Sequence, residues 1–116
     1  PAIAMARYGG EEFVAVVPDT NPAELAALAE NMRKSIEELQ LPYAQGGDQV
    51  VTVTIGSAIG QGQALVNPET LFDVADAALY RGKSAGRNCV VSDIVQEPIT
   101  RAYRRSTVHT AVAKLS

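Results

Sequence analysis

Two carboxylates beside two glycines are the residues of this chain best suited to chemistry. In Arg7-Tyr8-Gly9-Gly10-Glu11-Glu12-Phe13 a pair of positions without side chains is followed at once by adjacent acids. Gly9-Gly10 can close a two-residue hairpin, because such turns put φ above zero, where glycine meets no Cβ clash. A bare hairpin tip lets a ligand approach the backbone, and Glu11 and Glu12 offer hard oxygen ligands to a divalent cation. Together they suit a nucleotide polyphosphate carrying Mg²⁺. The same residues also read as a common glycine turn with a solvated strand edge, and the hairpin alone leaves both readings open. Far along the chain Lys83 and Arg87 stand four apart across a helix end. By themselves they are a helix-terminal charge pair.

The elements that must position these groups are legible from period and punctuation. Ala2 to Tyr8 reads as a short strand, and Phe13-Val14-Ala15-Val16-Val17 as its apolar, β-branched partner. Asn21-Pro22 with Glu24 predicts a capped helix start. Leu25, Leu28, Ala29, Met32, Ile36 and Leu39 form its apolar stripe, and Leu41-Pro42 ends it. Ala44 to Asp48 reads as a loop, after which Val51, Val53 and Ile55 alternate with threonines as a strand. Gly60-Gln61-Gly62-Gln63 is linker-like. Asn67-Pro68 caps a second helix with the stripe Leu71, Val74, Ala75, Ala78 and Leu79, and Gly86 falls at its C′ position. Asn88 to Ser92 closes the pattern as a short strand, and Ile99 to Ser116, with Arg101, Arg104, Arg105 and Lys114, reads as a basic tail.

Composition narrows the function classes. The 116 residues are 47% hydrophobic and 20% charged, a single globular domain's profile, and no apolar run approaches the roughly 18 residues of a membrane span. A net charge of −3 argues against a general nucleic-acid surface, so any anion site is local. One His and no Trp leave zinc fingers, Ser-His-Asp triads and base-stacking platforms without material, and His109 reads as surface. The single Cys89 admits no intrachain disulfide, reads as a small core hydrophobe, and predicts a reducing, cytoplasmic setting.

Three blocks, in order, resemble the GGDEF family of diguanylate cyclases: Arg7 to Phe13, then Val51-Thr52-Val53-Thr54-Ile55-Gly56, then Ala75-Asp76-Ala77-Ala78-Leu79-Tyr80 running into Lys83-Ser84-Ala85-Gly86-Arg87-Asn88. The resemblance implies an α+β fold with a nucleotidyl-cyclase/ferredoxin-like, antiparallel-type sheet and flanking helices. It implies condensation of two GTP molecules into cyclic di-GMP with release of pyrophosphate, in a homodimer of facing half-sites. By the same resemblance Gly9 and Gly10 lie against GTP, Glu11 binds Mg²⁺ and serves the attacking 3′-hydroxyl, and Glu12 supports the metal. Phe13 anchors its strand in the core, and Lys83 and Arg87 contact phosphates. Asp76 is expected as a buried polar partner and Asn88 as a turn former.

Against the family pattern, the chain is expected to lack the first central strand, which lies between the hairpin strand Glu11 to Val17 and the strand Val51 to Ile59, together with two helices. Residues 1–92 then read as the C-terminal portion of such a domain and 93–116 as the basic tail. Two sheet edges would be left open, so pairing with another copy or poor stability is expected. Ile3 stands where the family's Arg-x-x-Asp product-inhibition motif has its Asp, and Gly82 where an alanine is usual. Sensory or regulatory domains are expected upstream in the parent protein, which leaves a membrane anchor there open. The alternative reading is a non-catalytic module of the same fold that binds GTP or cyclic di-GMP.

Overall fold

The computed structural model describes residues 3–43, 47–61, 66–96 and 110–116. Strands β1 (Ala4–Gly9) and β2 (Glu12–Val17) form an antiparallel hairpin. Gly9 pairs with Glu12, so the two-residue loop is Gly10-Glu11 rather than Gly9-Gly10. Of the two glycines only Gly10, at φ +49°, uses a conformation that disfavours a side chain. The register slips between Arg7 and Gly9, a bulge at Tyr8. The Arg7 guanidinium donates to the Gly10 carbonyl at 2.9 and 2.7 Å and pins the tip.

Helix α1 (Pro22–Glu38) begins where the sequence predicts, with the Asn21 side chain accepting from the Glu24 amide at 2.9 Å. It stops one residue short of Leu39, which is exposed. Strand β3 (Ile55–Gln61) starts later than Val51 and runs into the stretch read as a linker. The Val51 amide instead bonds the Leu41 carbonyl at 2.7 Å, tying this segment back to the chain after α1. Helix α2 (Pro68–Ser84) is capped by Asn67, ends at Ala85, and is followed by Gly86 at φ +122°. Strand β4 (Val90–Gln96) is parallel to β3, as a helical crossover between them requires.

The order of the five strands is β1-β2-β5-β3-β4, where β5 is Ala111–Leu115. The tail reading therefore fails for Asp93–Gln96, which belong to β4, and for Ala111–Leu115. The latter form the sheet's central strand, antiparallel to both β2 and β3, in the position expected to be vacant. The physical reason is that Ala-Val-Ala-Lys-Leu is a short apolar run. Between two open edges it satisfies both ladders and buries Ala111, Val112, Ala113 and Leu115 to 6% exposure or less. Its basic neighbours Arg101, Arg104 and Arg105, and His109, lie outside the described residues, as do Gly62 and Gln63.

The two helices cover opposite faces. Ala29 of α1, with Met32 and Ile36, packs on Ala15, Val53, Ile55, Ala113 and Leu115. Leu71 and Ala75 of α2 pack on Ala58 and Val112. Alternation along β5 thus sends residues 111, 113 and 115 to α1 and 112 and 114 to α2. Close approach of α2 depends on two glycines. A Cβ on Gly56 would stand 2.2 Å from the Leu79 nitrogen, and one on Gly82 would stand 2.8 Å from Thr54 Cγ2. Gly82, which the sequence left without a purpose, is a packing residue.

Candidate active site

The pairing places the residues singled out in the sequence at one end of the sheet. Phe13 pairs with Leu115, Leu115 with Ile55 and Ile55 with Val90, so the hairpin tip, Ser116, Thr54 and the α2–β4 corner share an edge. The end of α2 lies over β3, with Gly82 against Thr54. Within the sheet β3 is two strand spacings from β2, about 10 Å, and the end of α2 stands one layer above it. Lys83 is half-buried there and Arg87 exposed.

The two glutamates part company. Glu11, exposed at the turn, lines an apolar cleft on the α1 side with Met5, Phe13, Met32, Ile36 and Tyr43. Glu12 faces α2, where its Oε1 lies 3.2 Å from the Nζ of Lys114. The same ammonium is 2.6 Å from Asp76 Oδ1 and stands 4.9 and 4.6 Å from the ring centroids of Tyr8 and Phe72. Lysine is seldom buried without partners; here the side chain is 4% exposed between two carboxylates and two aromatic faces. Burial alone would lower its pKa, but hydrogen bonds to Asp76 and Glu12 outweigh that and hold it above the ordinary lysine value. Asp76 is thus a polar partner as expected, though exposed rather than buried, because it lies at the rim of the ammonium's pocket. Phe13 is 39% exposed, since it lines the open cleft rather than the core.

The α2–β4 corner is strained and braced. Gly86, Arg87 and Asn88 all have positive φ, at +122°, +64° and +50°. For asparagine this is tolerable; for arginine it costs about 1–2 kcal/mol. The corner is held by the Arg87 amide on the Gly82 carbonyl at 3.0 Å and the Asn88 amide on Thr54 Oγ1 at 3.0 Å. The Asn88 side chain accepts from Arg33 at 3.0 Å and donates to Glu37 at 2.6 Å, while Arg33 also pairs with Glu30 at 2.6 Å. Hydrogen bonds from Arg33 keep the Glu30 carboxyl below its ordinary range. Asn88 is a turn former, as expected, and also the link from this corner to α1.

With Lys114 seated beside Glu12, these side chains do not by themselves form a magnesium site. Among the described residues no three Asp, Glu, His or Cys side chains gather closely enough to hold a metal. Glu11 and Glu12 turn to different faces, and Lys114 occupies the charge-compensating place beside Glu12. Lys114 is the contact that sequence reasoning missed. Its signal was a lone lysine inside an otherwise apolar run, hidden because the neighbouring arginines made the segment read as a tail.

The family description "Diguanylate cyclase, GGDEF domain" matches residues 3–89. The chain is 40% identical over 97 residues to the probable diguanylate cyclase DgcT of Escherichia coli (strain K12), covering 82% of this chain and 21% of that protein. It is 40% identical over 86 residues to the response regulator PleD of Caulobacter vibrioides (strain NA1000 / CB15N), covering 73% and 19% respectively. To the diguanylate cyclase DosC of Escherichia coli (strain K12) it is 38% identical over 84 residues, covering 72% and 18%. The chain therefore spans about a fifth of the length of these curated relatives.

Proposed function

The chain belongs to the GGDEF family of diguanylate cyclase domains, and from that premise we propose that its parent protein joins two GTP molecules into cyclic di-GMP. Within the described residues, the five-stranded sheet with its two helices, β4 and β5 included, is assigned to that domain. In each of two equivalent steps the 3′-oxygen of one GTP attacks the α-phosphorus of the other. The bond to the α–β bridging oxygen breaks, pyrophosphate departs, and the 3′-hydroxyl proton passes to a base. The observation that carries this reading is the shared edge: the bare hairpin tip stands at the same end of the sheet as Lys83 and the strained Arg87.

The proposed roles are those the family resemblance implies. Gly9 and Gly10 admit the nucleotide to the backbone at the tip. Lys83 and Arg87 hold the phosphates and offset charge that grows on the leaving oxygens. Glu11, exposed at the turn, orients the attacking hydroxyl and accepts its proton. Glu12 supports the same site from the α2 side. As the resemblance implies one GTP per half-site, two copies facing each other supply the second, and positioning then removes much of the entropic cost of joining two anions. Enzymes of this family are metal-dependent, and Mg²⁺ is the ion we propose, since triphosphates travel as its complex and carboxylates are hard ligands. With β5 seated the residues do not form its site, and no step here is routed through it. Among the described residues no helix is long and apolar enough to cross a membrane; a cytoplasmic location, with regulatory domains upstream, is part of the same proposal.

The engagement of Glu12 by Lys114 favours a second reading, a module that binds GTP or cyclic di-GMP without turnover. One assay separates the two. The chain and the full-length parent are incubated with GTP and Mg²⁺, and cyclic di-GMP and pyrophosphate are followed by chromatography. Product from the parent that disappears with Glu11→Ala is the expected result. An intact, dimeric parent that makes none would overturn the cyclase reading, and GTP binding without product would establish the second.

A further inference from the structure

We propose that the β5 strand is a built-in latch, whose Lys114 ammonium excludes a divalent cation from Glu12 for as long as the strand is seated. Three observations converge on this. The strand is wholly apolar but for one residue, and that residue is the one whose side chain meets Glu12 and Asp76, at 3.2 and 2.6 Å. The Lys114 side chain is enclosed at 4% exposure, with Tyr8 and Phe72 supplying π faces to its ammonium at 4.9 and 4.6 Å. A fixed positive charge this close to both carboxylates leaves a metal neither the room nor the uncompensated charge it needs. Finally, the strand completes both neighbouring ladders. Phe13 to Val17 pair with it on one side and Ile55 to Ile59 on the other, and Ser116 exchanges two backbone bonds with Thr54 at 2.8 and 3.0 Å. Seating and neutralisation are therefore one event.

The latch differs from an ordinary surface ion pair in being coupled to backbone pairing. Moving the ammonium away from Glu12 by more than a rotamer change requires the end of β5 to leave the sheet, because Lys114 pairs with Val14 and Gly56. A cation arriving at Glu12 must therefore compete with strand insertion rather than with water. Opening the latch would expose a row of unpaired groups on β2 and on β3, a template for another extended segment.

The inference concerns metal access alone and stands or falls apart from cyclase activity. Mn²⁺ binding to the full chain, without nucleotide, is measured by electron paramagnetic resonance. Lys114→Met keeps an unbranched side chain one atom shorter and removes the charge. It is expected to bind Mn²⁺ at least about tenfold more tightly than the unaltered chain, with the gain abolished by adding Glu12→Gln. Equal affinity of the two chains, or a gain that survives Glu12→Gln, overturns the latch. Should Lys114→Met not fold, amide exchange in the unaltered chain decides. Mn²⁺ that broadens the Glu12 signals must also speed exchange at Val112 and Lys114, and failure of Mn²⁺ to reach Glu12 equally supports exclusion. Broadening at Glu12 with both amides still protected refutes it.

Discussion

Replacing Arg87 by glycine separates what the corner does for the fold from what it does for a ligand. Arg87 sits at φ +64° with an exposed side chain. The left-handed conformation costs a non-glycine residue about 1–2 kcal/mol, whereas glycine adopts it freely and gives back about 0.5–1 kcal/mol through the greater freedom of its unfolded chain. The net expectation is a gain of about 0.5–1 kcal/mol, or about 2–4 °C in Tm for a domain of this size. The opposite is expected for binding. A charge-assisted phosphate contact contributes about 1.5–3 kcal/mol, so GTP should bind roughly 10–100-fold more weakly. Scanning calorimetry and equilibrium titration with GTP measure the two effects on one protein. A lower Tm would show that the corner is not strained as described, and unchanged GTP affinity would remove Arg87 from the phosphate site.

Gly56→Ala should destabilise by about 1–3 kcal/mol or more, because its Cβ would meet the backbone of α2 at Leu79 and Ala75, which no rotamer change relieves; urea titration should show a lower midpoint at unchanged slope. Gly82→Ala is the contrast. Its nearest neighbour is a threonine methyl at 2.8 Å, and the helix propensity gained, about 1 kcal/mol, offsets only part of the crowding, so its midpoint should fall by less than that of Gly56→Ala. Asn88→Ala removes an acceptor for Arg33 and a donor to Glu37 and places a Cβ residue without a local polar partner at φ +50°. Thermal unfolding should show a loss of about 2–3 kcal/mol; a loss under half of that would mean the bridge to α1 is slack. Glu30 is held below its ordinary value of 4.5 by Arg33, so its contribution is complete above that value and is lost as the pH falls through the lower, folded one. Glu30→Gln should flatten the acid limb of the stability–pH curve, and an unaltered limb would show that Arg33 does not discriminate between the two forms.

Much of the frame was legible because it rests on local rules. Asn21 and Asn67 cap the helices they were expected to cap, and Gly86 ends the second one, since capping chemistry is confined to a few neighbouring residues. The hairpin loop lies one residue beyond Gly9-Gly10, because the bulge at Tyr8 shifts the pairing and a bulge has no sequence signal of its own. Strand β3 begins later than the threonine–valine alternation predicts, because alternation marks β-propensity and not the partner that fixes where pairing starts. The largest omission was β5. A five-residue strand 15 residues past β4 is a non-local pairing, and nothing in Ala-Val-Ala-Lys-Leu names the two edges that receive it. Lys114 could be understood only with Glu12 and Asp76, which are distant in sequence and adjacent in space.

The bridge from Arg33 through Asn88 has a mechanical side. Arg33 grips Glu30 and Glu37 on its own helix and Asn88 on the far corner, and Asn88 is bonded to Thr54 at the mouth of β3. The first helix and the bend that carries Arg87 are thus geared together. A torque that turned α1 by a few degrees would be delivered to the guanidinium one residue away from the gear tooth, and a ligand clasped by that guanidinium would press back on the helix with equal force.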